Sequence, residues 1–214
     1  MIIAGVEEAG RGPVIGPLVI AIAAVKEEDE FKLKAMGAKD SKLLTPLQRE
    51  RLYDAIIDLC EYEIIVVSPE EVDAAVMSEE TNLNWLEADK TAILINKLKP
   101  DKVYLDCPST NLDAYKNYIQ KKLNYKPELI VEHKADVNYT IVGTASILAK
   151  VTRDSEVRKL KAEFGVDFGS GYPSDPLTMA FTSKNFNKYP FFRKSWETWQ
   201  KAKKQAPQKK LGEF

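Results

Sequence analysis

The 214-residue chain contains one histidine, His133, and two cysteines, Cys60 and Cys107. Two cysteines cannot build the disulfide framework of a small secreted protein, and their spacing matches no zinc motif. With a single histidine, a histidine-rich metal centre is excluded, so any metal chemistry must rest on oxygen ligands. We therefore predict a protein of a reducing compartment, the cytoplasm.

Long hydrophobic runs are also missing. The longest strongly apolar stretch, residues 14–25, is too short to span a bilayer, and the N-terminus turns acidic at Glu7 instead of showing a signal-peptide pattern. Hydrophobic residues still make up 44% of the chain and charged residues 29%, which suffices for the core of a soluble domain.

An overall excess of charge is absent, but charge is unevenly spread. The net charge is −1, whereas residues 184–214 carry nine basic and two acidic side chains, so this segment is +7 and residues 1–183 are −8. A basic arm beside an acidic body is the footprint expected for a polyanion partner. A solubilising tail explains the pattern equally well.

Hydrophobic periodicity and turn signals predict a mixed α/β sheet. Strands at residues 2–6 and 15–25 are separated by a Gly/Pro-rich turn and should pair antiparallel. Three further strands are predicted at residues 62–67, 102–105 and 129–133. Helices are predicted at residues 46–60, 84–98 and 111–123, and the chain is mostly helical from residue 136 onward.

Four carboxylates lie on or after predicted strands: Glu7, Glu8, Asp106 and Asp136. Several acids converging beside apolar strand residues would repel one another and call for Mg²⁺ or Mn²⁺, which prefer carboxylate oxygen. Because adjacent strand residues point to opposite faces, Glu7 and Glu8 should not bind a metal alike without a bulge or twist. Any one of these acids taken alone is explained better as an exposed loop residue.

Three further segments carry groups suited to a nucleic acid. Ser146, Lys150 and Arg153 share one helix face at i, i+4 and i+7, and their side chains suit a row of phosphates. The Gly10-Arg11-Gly12 segment lets backbone N–H groups approach an anion. Tyr172, held between glycine and proline, can form a platform for a sugar or base. A solvated helix face and ordinary turns are the alternatives.

Together these segments resemble type 2 ribonuclease H, ribonuclease HII, in its archaeal form. The matching motifs are GVEEAGRGPVIGP at 5–17, KDSKL at 39–43, YLD at 104–106, HKAD at 133–136, ASILAKVTRD at 145–154 and GSGYPSDP at 169–176. The resemblance implies an RNase H-like mixed sheet flanked by helices. We assign the catalytic domain to residues 1–165, a helical extension of that domain to 166–204 and a flexible tail to 205–214.

The family's activity is hydrolysis of the RNA strand of RNA–DNA hybrids and incision 5′ of ribonucleotides embedded in duplex DNA. The resemblance places its four metal-binding catalytic acids, which would hold two Mg²⁺ or Mn²⁺ ions, on Glu7, Glu8, Asp106 and Asp136. It places contacts to the ribonucleotide on Gly10, Arg11, Gly12 and Tyr172. Our candidates for phosphate contacts are Lys42, Ser146, Lys150 and Arg153. A two-metal reaction would leave a 5′-phosphate and a 3′-hydroxyl.

One departure affects the activity expected of this chain. The family's first acid is normally aspartate, and here it is Glu7. The added methylene lengthens the side chain by roughly 1.5 Å, so we hypothesise an impaired or Mn²⁺-preferring site. The alternative is a catalytically crippled, clamp-tethered protein that binds hybrids without cutting them. A nuclease acting on DNA alone would leave the Gly10–Gly12 segment and Tyr172 unexplained.

The end of the chain fits the pattern Gln-x-x-aliphatic-x-x-aromatic through Gln208, Leu211 and Phe214. It resembles the short peptide that docks on the sliding clamp, PCNA, although such patterns also arise by chance. A disordered tail that folds on binding would insert Leu211 and Phe214 into an apolar pocket. We therefore predict a monomer whose partners are RNA–DNA hybrid, ribonucleotide-containing DNA and the clamp.

Overall fold

The computed structural model describes residues 1–38 and 44–205, which contain a five-stranded sheet of order β3-β2-β1-β4-β5. The strands are β1 (Ile2–Ala9), β2 (Leu18–Lys26), β3 (Glu61–Val67), β4 (Lys102–Asp106) and β5 (Glu128–Glu132). β1 pairs antiparallel with β2 and parallel with β4, while the outer pairs are β2–β3 antiparallel and β4–β5 parallel. This confirms the predicted mixed α/β sheet and puts β1 at its centre.

Helices connect and cover the strands. They are α1 (Glu30–Ala35), α2 (Pro46–Leu59), α3 (Pro69–Met77), α4 (Leu83–Leu98), α5 (Leu112–Lys122), α6 (Ala135–Asn138), α7 (Thr140–Phe164), α8 (Pro176–Asn185) and α9 (Glu197–Gln205). Thr45 caps α2 through a reciprocal capping box with Gln48, and Pro46 occupies the first turn, as the sequence predicts. No helix in the described ranges is long and apolar enough to cross a membrane.

The two faces of the sheet bury separate apolar clusters. On one face Ala4 and Val6 of β1 pack with residues of α4 and α5, and on the other Ile3 packs with α7. The start of α7 lies directly on β1 because position 5 is glycine: a Cβ there would stand 2.4 Å from the carbonyl of Ile141. Residues 140–149 of α7 are consequently buried on nearly every side.

The second strand is shorter than predicted. It begins at Leu18. Residues 15–17, which precede the strand, lie outside the sheet, and Gly16 among them has a φ of +93°. Ile15 instead forms an isolated bridge with Phe192 and joins a third apolar cluster with Phe168, Phe191 and other residues of the C-terminal region. The predicted division of the chain into a catalytic domain, a helical extension and a tail, with boundaries at residues 165 and 204, stays a prediction.

Asp136 also differs from its predicted position after a strand. β5 ends at Glu132, Lys134 adopts a left-handed φ of +60°, and Asp136 lies inside the short helix α6. The reversal at Lys134 turns the chain back toward the ends of β1 and β4, so the carboxylate still reaches the same edge of the sheet.

Candidate active site

Glu7 and Glu8 lie in the last part of the central strand. Their partners on β2 are Ala21 and Ile20, and the parallel pairing of Val6 with Leu105 brings Glu7 alongside Asp106. Strand alternation gives Glu7 the face covered by α7 and Glu8 the face covered by α4. The two adjacent acids therefore point to opposite faces of the sheet, as the sequence predicts.

Burial and neighbouring charges raise the pKa values of the two glutamates. Burial, followed by the charges of Glu8, Asp106 and Asp136, raises the pKa of Glu7 well above its ordinary value, and Lys150 opposes the shift. Burial is also the main cause that raises the pKa of Glu8 to about 7, while Arg11 lowers it. Negative charges are thus crowded where little water reaches them.

The two aspartates are linked through the backbone. Oδ1 of Asp106 accepts a 3.0 Å hydrogen bond from the N–H of Ala135, which fixes the first turn of α6 beside the end of β4. This turn places Asp136, whose side chain is only 1% exposed. His133 lies in the same connection, with Nδ1 3.2 Å from the carbonyl of Cys107.

The donor chemistry of this cluster suits a hard cation. Oε2 of Glu7 is buried and has no hydrogen-bond partner among the described residues, and the neighbouring acids raise rather than lower its pKa. Within residues 1–38 and 44–205, no three His, Cys, Asp or Glu side chains converge closely enough to form a ready-made metal site. The four carboxylates have the oxygen donors that a hard cation prefers, but their side chains would have to move to surround an ion.

Glu7 and Glu8 open into a cleft of about 360 Å³. Its floor contains Glu7 and Glu8, and one wall is the segment Gly10–Gly12. The remaining lining residues are Ala9, Arg49, Lys150, Arg153, Asp154 and Tyr172. An acidic floor with basic and aromatic walls is suited to a phosphodiester whose charge is balanced at the floor by cations.

The predicted row on α7 differs from a surface track. Ser146 is fully buried and accepts a 3.0 Å hydrogen bond from Nζ of Lys150. Arg153 is 5% exposed, so Lys150 is the most accessible of the three. The spacing correctly predicts a shared side, but Ser146 is buried and Arg153 packs against Ser170 and Tyr172.

Arg153 and Tyr172 form a second wall of the cleft. The guanidinium of Arg153 lies 4.9 Å from the centre of the Tyr172 ring and donates a 2.6 Å hydrogen bond to the carbonyl of Ser170. A Cβ on Gly12 would stand 3.7 Å from the same ring, so the ring lies beside the Gly10–Gly12 segment. Tyr172 is 37% exposed and faces the cleft.

Two residues of α4 that sequence reasoning missed hold the side chain of Arg11. Glu87, which is 2% exposed, forms an ion pair with Arg11, and Oδ1 of Asn84 accepts a 2.7 Å hydrogen bond from it. Burial and the charge of Glu8 raise the pKa of Glu87 to about 8, against the lowering effect of Arg11. The sequence did carry one signal for Glu87, because it is a charged residue on the apolar side of a predicted helix.

Arg49 of α2 is a third missed residue. It lines the cleft, donates a 2.7 Å hydrogen bond to the carbonyl of Leu44 and lies 3.8 Å from Asp154. Nothing in the local sequence separates it from the other charged residues of α2. The candidate phosphate contact Lys42 and the tail residues Gln208, Leu211 and Phe214 lie outside the described residues.

Comparison with known proteins identifies the family of the chain. Residues 4–199 match the family model described as ribonuclease HII. The chain is 44% identical to ribonuclease HII of Pyrococcus furiosus over 98% of its own length and 95% of that protein.

Two solved structures are similar over nearly the whole chain. Ribonuclease H2 from Pyrococcus horikoshii has a TM-score of 0.87 at 44% identity and covers 95% of this chain and 98% of that one. A PCNA:RNase HII complex from Archaeoglobus fulgidus has a TM-score of 0.85 at 37% identity, and the match covers 99% of this chain and 100% of that one. The predicted RNase H-like fold and ribonuclease H class are confirmed, and the chain belongs to the ribonuclease HII family.

Proposed function

We propose that the protein is an endoribonuclease that hydrolyses the RNA strand of RNA–DNA hybrids and incises duplex DNA 5′ of an embedded ribonucleotide. The observation that carries this proposal is a cleft lined by Glu7, Glu8, Gly10–Gly12 and Tyr172, with Asp106 and Asp136 close enough to Glu7 to raise its pKa. Family membership supports the same reaction.

The four carboxylates are the proposed ligands of two Mg²⁺ or Mn²⁺ ions. When bound, such ions make water a stronger nucleophile and stabilise the charge on the leaving oxygen. Glu7 and Glu8 approach from opposite sheet faces, and Asp106 is held by the N–H of Ala135. The acids would therefore reach bound ions from different directions and would not be interchangeable.

The Gly10–Gly12 segment and Tyr172 are the proposed reader of the ribonucleotide. No hydrogen bond among the described residues is donated by the backbone N–H of Arg11 or Gly12, so these groups can donate to a 2′-oxygen or phosphate. Gly10 has a φ of +83°, and a Cβ there would lie 2.7 Å from the carbonyl of Pro17, so another residue would shift this turn. Recognition of a 2′-hydroxyl requires no contact with base edges.

Lys150 is the proposed phosphate contact on α7. It is partly exposed at the cleft, and its Nζ is held by the hydroxyl of Ser146. Ser146 and Arg153, which are buried, act by positioning: Ser146 orients Lys150, and Arg153 supports Tyr172. The role of Lys42 rests on the resemblance alone.

A substrate panel tests the reaction. Four labelled duplexes are compared in Mg²⁺, Mn²⁺ and a chelator: RNA–DNA hybrid, DNA with one ribonucleotide, all-DNA and all-RNA. We expect metal-dependent cleavage of the first two and none of the all-DNA duplex. Cleavage of all-DNA at a similar rate would contradict the proposal. Binding of the ribonucleotide duplex without cleavage in either metal would favour the alternative, a hybrid-binding protein impaired by Glu7.

The C-terminal tail is the proposed attachment to a sliding clamp. The similar RNase HII from Archaeoglobus fulgidus was solved in complex with PCNA, which supports this partnership. The tail would contribute Gln208, Leu211 and Phe214, and α9 precedes it. A tethered enzyme would have a higher effective concentration on clamp-loaded DNA.

Replacing Leu211 and Phe214 together with alanine should weaken binding to an archaeal clamp by at least about tenfold, since each buried apolar side chain contributes roughly 1.5–3 kcal/mol. Calorimetry with the full-length variant measures this, and cleavage of a short duplex without clamp should be unchanged. Lys210→Ala, which leaves the three pattern residues intact, is the matched control. Equal clamp affinity for the double variant and wild type would rule out this attachment.

A further inference from the structure

The carbonyl groups of Gly10, Arg11 and Gly12 are all held by one distant segment, residues 193–196. Arg193 donates from Nη2 to the carbonyl of Gly10 at 2.6 Å and from Nη1 to that of Arg11 at 2.9 Å. Nε1 of Trp196 donates to the carbonyl of Gly12 at 3.0 Å. These three hydrogen bonds thus fix the backbone of residues 10–12 through its carbonyl groups.

The guanidinium of Arg193 is used almost entirely for backbone contacts. It is fully buried, and its remaining Nε donates to the carbonyl of Gly16 at 3.0 Å. Burying an arginine is unfavourable unless its donors are satisfied, and an apolar side chain would fill this space at lower cost. Three carbonyls arranged around one planar group match the fork of arginine, which a single lysine ammonium cannot reproduce.

The holding segment is itself anchored to the body of the protein. The N–H of Arg193 donates to the carbonyl of Val14 at 2.8 Å. The carboxylate of Asp73 in α3 accepts from the N–H groups of Lys194 and Ser195 at 2.7 and 2.9 Å, and from the Ser195 hydroxyl at 2.5 Å. Arg193 and Trp196 therefore act on the loop from a fixed position.

We propose that Arg193 and Trp196 are positioning residues for ribonucleotide recognition: by holding the carbonyls of residues 10–12, they aim the N–H groups of Arg11 and Gly12 at the ribonucleotide. This inference rests on the proposed function of the Gly10–Gly12 loop. Glu87 and Asn84 restrain the Arg11 side chain from α4, so the backbone and the side chain of the loop are held by different parts of the fold. A misplacement of about 1 Å in such a site can lower the rate on the order of 10²-fold.

Two tryptophan variants provide a matched test. Trp196→Phe removes the indole donor to Gly12, whereas Trp199→Phe removes a similar 2.7 Å indole bond to the carbonyl of Phe186, away from the loop. We expect Trp196→Phe to lower kcat/KM on a single-ribonucleotide duplex roughly 5–10-fold, the effect of one hydrogen bond of about 1 kcal/mol. Trp199→Phe should stay within about twofold of wild type. Equal kcat/KM for the two variants would overturn the inference.

Arg193→Lys keeps the charge but cannot reach all three carbonyls. We expect kcat/KM to fall about 10–100-fold, while Mn²⁺ affinity measured by calorimetry on folded protein stays at the wild-type value. A loss of Mn²⁺ affinity parallel to the loss of cleavage would mean general damage to the site and would contradict a role confined to the loop. Arg158→Gln, which removes an exposed arginine of α7 paired with Glu50, is the control for charge and should cleave normally.

Binding measurements separate this inference from the proposed reaction. The ratio of affinities for a ribonucleotide-containing and an all-DNA duplex should fall in Trp196→Phe and remain unchanged in Trp199→Phe. Absence of cleavage by the wild-type protein would overturn the proposed function. The ratio of affinities would then still test whether Trp196 positions the loop. An unchanged ratio in Trp196→Phe would reject the positioning role even if the wild-type protein cleaves.

Discussion

Replacing Glu8 with glutamine should reduce metal-dependent cleavage by at least about 10³-fold, a loss of roughly 4 kcal/mol of transition-state stabilisation. The substitution keeps the size of the side chain and removes the negative charge that makes it a good ligand for a hard cation. Single-turnover rates on a ribonucleotide duplex measure the effect. Glu61→Gln, at an exposed position of β3, is the control and should cleave like the wild type.

The same substitution should stabilise the metal-free protein. Because the pKa of Glu8 is raised from 4.5 to about 7, its folded form holds a proton more tightly than the unfolded chain, and stability is lost as pH rises through that interval. Glutamine removes this dependence. Without divalent ions, the Tm of Glu8→Gln should exceed that of wild type by a few degrees at pH 8 and match it near pH 4, as about 1 kcal/mol corresponds to roughly 2–4 °C.

The opposite pattern would contradict the assignment of Glu8. A variant that retains cleavage would mean that this carboxylate does not serve a bound ion. A variant that melts lower than wild type at pH 8 would mean that the carboxylate stabilises the folded protein. Adding Mn²⁺ should reverse the order of the two Tm values, because only the wild type offers all four carboxylates.

Replacing Glu7 with aspartate should raise the Mg²⁺-dependent rate by about 10–100-fold, since a misplaced group of this kind costs on the order of 10²-fold. Glu7 lies on the face covered by α7, is buried, and has a raised pKa, so it has little room to fold away its extra methylene. Mg²⁺ requires nearly octahedral coordination at short distances, whereas we expect Mn²⁺ to tolerate distortion better. The ratio of Mn²⁺ to Mg²⁺ rates should therefore fall.

The neighbouring acid supplies a control for Glu7→Asp. Glu8→Asp shortens the adjacent side chain by the same methylene at the position where glutamate is expected, so the rate should fall in both metals. An unchanged or lower Mg²⁺ rate for Glu7→Asp would show that the longer side chain is accommodated and that Glu7 is no impairment.

The features that local sequence determines were predictable. The antiparallel pair of β1 and β2, the capping box of α2 and the strand β4 follow from short-range patterns, and each is observed. Alternation along β1 also predicts the opposite faces of Glu7 and Glu8. These features depend on residues that are near one another in the chain, at most 24 positions apart in the β1–β2 pair.

Features that depend on distant contacts were not predictable. Arg193 belongs to the basic C-terminal segment by composition, yet it is fully buried behind a loop about 180 residues earlier in the chain. Glu87 is a charged residue on the apolar side of α4, but the local pattern does not identify Arg11 as its partner. Ser146 shares a side with Lys150, but periodicity cannot tell that α7 is covered nearly all round at that level.

The most direct test of the proposed reaction is the chemistry of the ends produced from a DNA duplex with one ribonucleotide. Products are resolved at single-nucleotide length and treated with enzymes specific for each kind of end. We predict a cut 5′ of the ribonucleotide, with a 3′-hydroxyl on the DNA side and a 5′-phosphate on the ribonucleotide. A cut on the 3′ side leaving a cyclic 2′,3′-phosphate would mean attack by the 2′-hydroxyl itself and would contradict water-mediated hydrolysis at the acid cluster.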